Sequence, residues 1–240
     1  MSGDMTFFEH LSELRKRFLI IVYSVIFFSI SGYYFSEEII DLMLNASGST
    51  AADFQVLYIT SMFMIKINIA VFVGIIFSFP VILYQSLTFV KPAFENQLNF
   101  VKILLFLSLS LFLFILGILF GFYILIPLSV NFFNSISLNL SGSVALNYTL
   151  ENYLIYLSWI LLVSSVIYQV PILLFILVKI NILDVSSLKS KRPYIIIIFF
   201  IIAALLTPPD PISQLLVALP MILLYEITII LIRLFFKNDE

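Results

Sequence analysis

Cysteine is absent from this 240-residue chain, and histidine occurs once, at position 10. Without thiols there is no disulfide and no thiolate metal site, and one imidazole cannot build a histidine metal cluster. Glycine is scarce too: seven residues, in no GxxxxGKS/T or GxGxxG arrangement. Nothing in such a chain cradles nucleotide phosphates, so any energy source is external and no cofactor is expected. An intramembrane serine protease needs a histidine beside its nucleophile, a zinc protease needs two, and a paired-aspartate protease needs a second embedded Asp beside Asp210. These absences argue against an enzyme. A net charge of −2 argues against a nucleic-acid partner. No internal repeat or inverted symmetry of the kind found in many secondary transporters is evident.

What the chain has is hydrocarbon. Hydrophobic residues make up 62% of it, charged residues 11%, and the mean hydropathy is +1.16, a composition that belongs to integral membrane proteins. In lipid every backbone polar group needs an internal partner, which helices supply, and the alternation of a membrane barrel is missing. Apolar runs place six transmembrane helices near residues 18–35, 62–88, 100–127, 153–180, 194–206 and 212–235. The expected fold is an all-α integral membrane protein forming one domain over residues 1–240.

Placing the N-terminus on the cytoplasmic or matrix side puts Arg15, Lys16, Arg17, Lys91, Lys102, Lys179, Lys189, Lys191, Arg192, Arg233 and Lys237 inside, as the positive-inside rule asks. Lys66 alone falls outside, where it can snorkel to the interface. Glu37, Glu38, Asp41, Asp53, Glu151 and Asp210 occupy the external segments. Both termini are then internal. The first span reads as an uncleaved signal anchor, because no small-residue cleavage site follows a short apolar core.

The segment "TFFEHLSELRKRF", residues 6 to 18, reads as an amphipathic helix with Phe7, Leu11, Leu14 and Phe18 on one face and Glu13 and Arg17 at i,i+4. Its basic residues can simply enforce topology, but topology does not require acids. Glu9 and Glu13 on that surface can bind a cationic peptide. Deeper in the chain, Gln169 precedes Pro171 in the fourth span and Glu226 lies in the sixth. An embedded carboxyl usually faces a cavity or a partner, whereas Gln169 and Gln214 can equally act as hydrogen-bonding glue between helices.

The fifth span is short. Thirteen helical residues reach only about 20 Å, against about 30 Å of hydrocarbon, so the bilayer thins there or protein covers the helix ends. Pro208 and Pro209 stop that helix, and Asp210 can cap the sixth with Pro211 in its first turn. The three residues read as a rigid external hairpin.

Five stretches in order, "HLSELRKR", "FPVILYQSLTFVKPAF", "YQVP", "KSKRPY" and "TPPDPISQLLVALPMILLYE", resemble TatC, the multispanning receptor of the twin-arginine protein translocase. The "KRPY" and "TPPD" forms resemble the proteobacterial and mitochondrial branch. The resemblance implies a concave, glove-like bundle of six helices with a short fifth and sixth. It would bind twin-arginine signal peptides on its cytoplasmic face and, with single-span partners of the TatA and TatB type, pass folded proteins across an energised membrane, as a homo-oligomer in the receptor complex. By motif position Glu13 corresponds to a signal-binding glutamate, with Arg17 beside it, Phe89 to an aromatic of the first cytoplasmic loop, and Gln169 to the polar site of the concave face; Gln214 and Glu226 would serve partner docking. The second signal-binding glutamate aligns with Leu98, and Glu95, three residues earlier, can supply the missing charge if that loop is helical.

Heavy use of Ile, Phe, Leu, Asn, Ser and Tyr suggests an AT-rich genome and an organelle-encoded protein of the mitochondrial inner membrane, with a bacterial plasma membrane as the other location. A rival function of a different class is a proton-coupled secondary transporter or channel for a small solute, with Glu226 as the coupling group.

Overall fold

A computed structural model describes residues 7–45, 54–91, 100–139, 149–207 and 211–236. Ten α-helices account for nearly all of them: α1 (Phe7–Tyr34), α2 (Ser36–Asn45), α3 (Ser61–Val90), α4 (Phe100–Phe120), α5 (Ile126–Asn139), α6 (Leu150–Ile167), α7 (Val170–Lys179), α8 (Val185–Ser190), α9 (Arg192–Leu206) and α10 (Pro211–Phe236). Among the described residues the β-structure is one isolated bridge, Gln55 to Thr149.

Among the described residues, five helices are long and apolar enough to cross a membrane: Leu11–Tyr34, Ser61–Val90, Val101–Phe132, Leu150–Lys179 and Ser213–Leu234. The expected fifth span is α9, whose 15 residues reach about 22 Å. Its shortness agrees with the sequence. The expected shortness of the sixth helix does not: α10 has 26 residues and reaches about 39 Å. Pro220 lies inside it, yet the helix continues, because the surrounding apolar contacts hold a turn that has lost one backbone hydrogen bond.

The bundle is apolar outside as well as inside. Tyr23, Phe27 and Ile30 of α1 and Leu104, Leu105 and Phe112 of α4 are exposed, while Ile65, Leu125, Leu157, Val217 and Ile232 are sealed inside. An exposed apolar belt of this extent suits lipid and would aggregate in water. The interior relies on close approach: α1 packs along α3, α4 along α6, and α9 along α10. Gly117 of α4 shows how close. A Cβ there would lie 2.6 Å from Ser165 Cα and 2.8 Å from the Ser164 carbonyl oxygen, both backbone atoms that cannot swing aside.

Two breaks shape the long spans. Pro127 cannot donate a backbone hydrogen bond, and just before it the third span widens into a π turn, Gly121–Leu125, in which Ile126 N–H reaches back to the Gly121 carbonyl. Pro171 breaks the fourth span differently: the chain tightens at Tyr168 and Gln169 between α6 and α7, where Gln169 N–H bonds the Val166 carbonyl at 2.9 Å. At the far end of α7, Asn181 takes a left-handed conformation with φ 58°. Its N–H bonds the Val178 carbonyl at 3.0 Å while Ile182 N–H bonds that of Leu177 at 3.0 Å, a helix stop that Asn tolerates because its side chain is small and polar.

The end of the bundle beyond Tyr34 carries an element not foreseen from the apolar pattern. Helix α2 follows α1 after one residue, and its Glu37 pairs with Lys66 of α3 at 2.5 Å. Lys66 thus reaches the acidic segment that follows the first span. The Lys66 hydrogen bond holds the Glu37 carboxyl below its ordinary value of 4.5. A depressed carboxyl contributes stability above its unfolded value, and that contribution is lost as pH falls through the lower folded value. Acidification below pH about 4.5 is therefore expected to lower the thermal midpoint more in the native chain than in Glu37→Gln, by a small amount because the pair is exposed. Parallel melts in detergent check it.

Candidate functional site

The start of α1 and the end of α3 bring together three polar side chains. Arg17 lies one turn after Glu13 on α1, and its Nε donates to Glu13 Oε1 at 3.0 Å while Nη2 bonds the same oxygen. Its Nη1 donates to Gln85 Oε1 of α3 at 3.1 Å. Gln85 is buried at 9% exposure, so its amide holds Arg17, and Arg17 holds the Glu13 carboxylate, against the α1–α3 seam. The arrangement presents a half-buried acid whose direction is set by a guanidinium fork. Phe89 lies one turn beyond Gln85 and is half-buried. Arg17 is turned toward its own Glu13, whose carboxylate it positions. Glu95 lies outside the described residues, as does Leu98.

Gln169 occupies the break in the fourth span and clasps a single residue of α4. Its Nε2 donates to the Ser110 carbonyl at 3.1 Å, and its Oε1 accepts from the Ser110 hydroxyl. The amide is helix glue in geometry, and it ties the α6–α7 break to α4. Gln214 is half-buried in the first turn of α10, beside the buried Ser213. Pro208, Pro209 and Asp210 lie outside the described residues. They separate the end of α9 at Leu206 from the start of α10 at Pro211.

Glu226 is paired. Arg192 Nη2, at the start of α9, donates to Glu226 Oε2 at 2.7 Å, and the neighbouring Tyr225 hydroxyl donates to the Leu188 carbonyl of α8 at 2.7 Å. Two successive residues of α10 thus fasten the loop helix and the head of α9. The pair is a third or more exposed on both sides, which limits it to about 1 kcal/mol. Glu226→Gln and Arg192→Met are each expected to lower stability by about that much, and the double variant by less than the sum. A double-mutant cycle of thermal unfolding reads this coupling; strict additivity would mean that the two charges do not support each other.

With this geometry established, comparison with known proteins identifies the relatives. The model of the family described as "Sec-independent protein translocase protein (TatC)" matches residues 9–220. The chain belongs to the TatC family. It is 30% identical to TatCy of Bacillus subtilis over 99% of the chain and 92% of that protein. It is 34% identical to TatC of Haemophilus influenzae over 96% and 90%, and 32% identical to a TatC-like protein of Reclinomonas americana over 100% and 92%. A crystal structure of the twin-arginine translocase receptor TatC superposes with a TM-score of 0.78 at 31% identity, covering 94% of this chain and 99% of that one. As a TatC, the chain is a multispanning membrane protein of a protein translocase and not an enzyme.

Gln85, Ser110 and Arg192 were not singled out in sequence, although each determines how a foreseen residue is held. Gln85 and Arg192 stand inside family-like stretches, "FPVILYQSLTFVKPAF" and "KSKRPY". That membership was the available signal. Their partners are 68 and 34 residues away, and no local period connects them.

Proposed function

We propose that this TatC is the receptor that binds twin-arginine signal peptides at the internal ends of α1 and α3, with Glu13 as the acid that accepts a signal arginine. The observation that carries the reading is the Glu13–Arg17–Gln85 chain, which presents an oriented carboxylate at the end of the first span. Glu95 is the second acid of the reading and Phe89 the aromatic beside it. Gln169, Gln214 and Glu226 belong to the docking of single-span TatA- or TatB-like partners, with Pro208, Pro209 and Asp210 shaping the external hairpin.

The reading includes one transmembrane domain over residues 1–240, six spans with α9 as the short fifth, both termini internal, a concave face, and assembly of several copies into a receptor complex. The distribution of Lys and Arg supports the orientation. The residue bias toward Ile, Phe, Asn and Tyr supports an organelle-encoded protein of the mitochondrial inner membrane over one of a bacterial plasma membrane. The solute-transporter reading loses its coupling group, because Glu226 is engaged by Arg192.

Photocross-linking tests the proposal directly. A twin-arginine peptide with a photoreactive residue is expected to label the α1 and α3 ends of the membrane-embedded protein, and a twin-lysine peptide much less, since lysine lacks the fork that matches a carboxylate. Equal labelling by both peptides would refute arginine recognition. For the second acid, Glu95→Ala is expected to weaken binding and Leu98→Glu to add little; a silent Glu95 with a gain from Leu98→Glu would remove Glu95 from the site.

A further inference from the structure

An open cavity of about 600 Å³ lies between α2 and the π turn of the third span. One wall is Glu38, Asp41, Leu42 and Asn45, spaced i, i+3, i+4 and i+7 on a single face of α2. The other is Phe122, Tyr123 and Pro127. Glu37, next to Glu38, is committed to Lys66, but no hydrogen bond or ion pair within the described residues engages Glu38 or Asp41. Two carboxylates without a partner among the described residues therefore share a cavity whose remaining walls are mostly carbon.

Its depth narrows the occupant. Helix α2 begins two residues after the first span ends at Tyr34, so its carboxylates stand beyond the hydrocarbon. Tyr123 and Pro127 lie 22 and 26 residues past Val101, the start of the third span, or about 33 and 39 Å along the helix. Both lie just past the edge of a core about 30 Å thick counted from Val101. The cavity has its acidic wall in the headgroup layer and its apolar wall against the acyl boundary. Tyr123 is 69% exposed there, an aromatic ring at the interface whose face attracts cations. A divalent metal is a poor match: two carboxylates fall short of the six to eight oxygens that calcium takes, and among the described residues no group of three metal-ligating side chains forms.

We propose that this cavity holds the headgroup of a phospholipid bearing a primary ammonium, phosphatidylethanolamine in its chemistry. The ammonium carries three donors, and Glu38, Asp41 and the Asn45 amide oxygen are three acceptors on one wall. Tyr123 adds its ring face. Leu42, Phe122 and Pro127 receive the glycerol and first acyl carbons. A quaternary choline headgroup has charge but no N–H donors, so it satisfies the ring and leaves the acceptors wet.

Native mass spectrometry of the full chain released from nanodiscs of equal phosphatidylethanolamine, phosphatidylcholine and phosphatidylglycerol reads the occupant. Retained ethanolamine lipid is expected at about five times the choline lipid, the scale that an exposed charged contact supports. Glu38→Gln with Asp41→Asn should bring that ratio to about one, while Glu37→Gln leaves it unchanged. If the double variant fails to fold, Tyr123→Leu takes its place and should lower the ratio about twofold. Equal retention of the two lipids by the native chain, or a preference that survives these variants, would overturn the proposal. Retention of a lysine-rich peptide that short-chain ethanolamine lipid does not displace, in a native chain that retains the two lipids equally, would assign the cavity to a protein partner instead.

Discussion

Glu13→Ala is expected to weaken binding of a twin-arginine peptide by about 1.5–3 kcal/mol, the scale for hydrogen bonds to a charged group, which is about ten- to 150-fold in affinity. The discount for solvent is modest because the Glu13 side chain is 23% exposed and Arg17 17%. Arg17 already donates twice to Oε1, so an incoming guanidinium must use the remaining acceptor capacity of the carboxylate or displace Arg17. Glu13→Gln separates the two contributions, since it keeps the shape and removes the charge. It should lose nearly as much as Glu13→Ala if charge governs, and little if shape does. Gln85→Leu should give a smaller loss, because it frees Arg17 from α3 without removing the acid. Isothermal titration of one peptide against the three variants checks the order. A Glu13→Ala protein that binds normally would remove the α1 acid from recognition.

Gly117→Ala is expected to destabilise the fold by about 1–3 kcal/mol, although it adds one methyl group and lies far from Glu13 in sequence. The added Cβ meets backbone, 2.6 Å from Ser165 Cα, so α4 and α6 must separate by several tenths of an ångström or more. Separation stretches the Ser164 hydroxyl to Gly117 carbonyl bond, now 2.9 Å, and pulls on the Gln169–Ser110 clasp between the same two spans. The loss should appear as a lowered unfolding midpoint. Ser164→Ala alone should cost less, because it removes a hydroxyl without forcing helices apart. Gly117→Ala with an unchanged midpoint would mean that the α4–α6 seam is looser than its geometry states.

Much of this architecture follows from composition. A chain with 62% hydrophobic residues has no soluble solution to its surface, and helices are the way its segments satisfy their own backbones in lipid. The spans near 62–88, 100–127, 153–180 and 194–206 reappear as α3, α4 with its π turn, α6 with α7, and α9. The Glu13–Arg17 pair was legible for the same local reason, since i,i+4 spacing on one helix brings the two together before any tertiary contact forms. Helix α2 escaped notice because ten mixed residues with two acids in the first turn carry no span signal. Its helicity becomes decisive only when Ile40 and Met43 bury against the bundle.

By itself, then, the sequence determined that this is a helical membrane protein with the ordered motifs of TatC, because apolar run length and local spacing are one-dimensional properties. Tertiary structure decided which polar groups meet. Gln85 holds Arg17, Ser110 answers Gln169, and Arg192 neutralises Glu226. It also decided that Glu38 and Asp41, unpaired among the described residues, stand beside an aromatic wall supplied from more than 80 residues away. The physical reason is common to all four. A buried or interfacial polar group must find its partner in space, and in a bundle that partner stands on another helix whose register is set by the packing of small residues such as Gly117 against backbone.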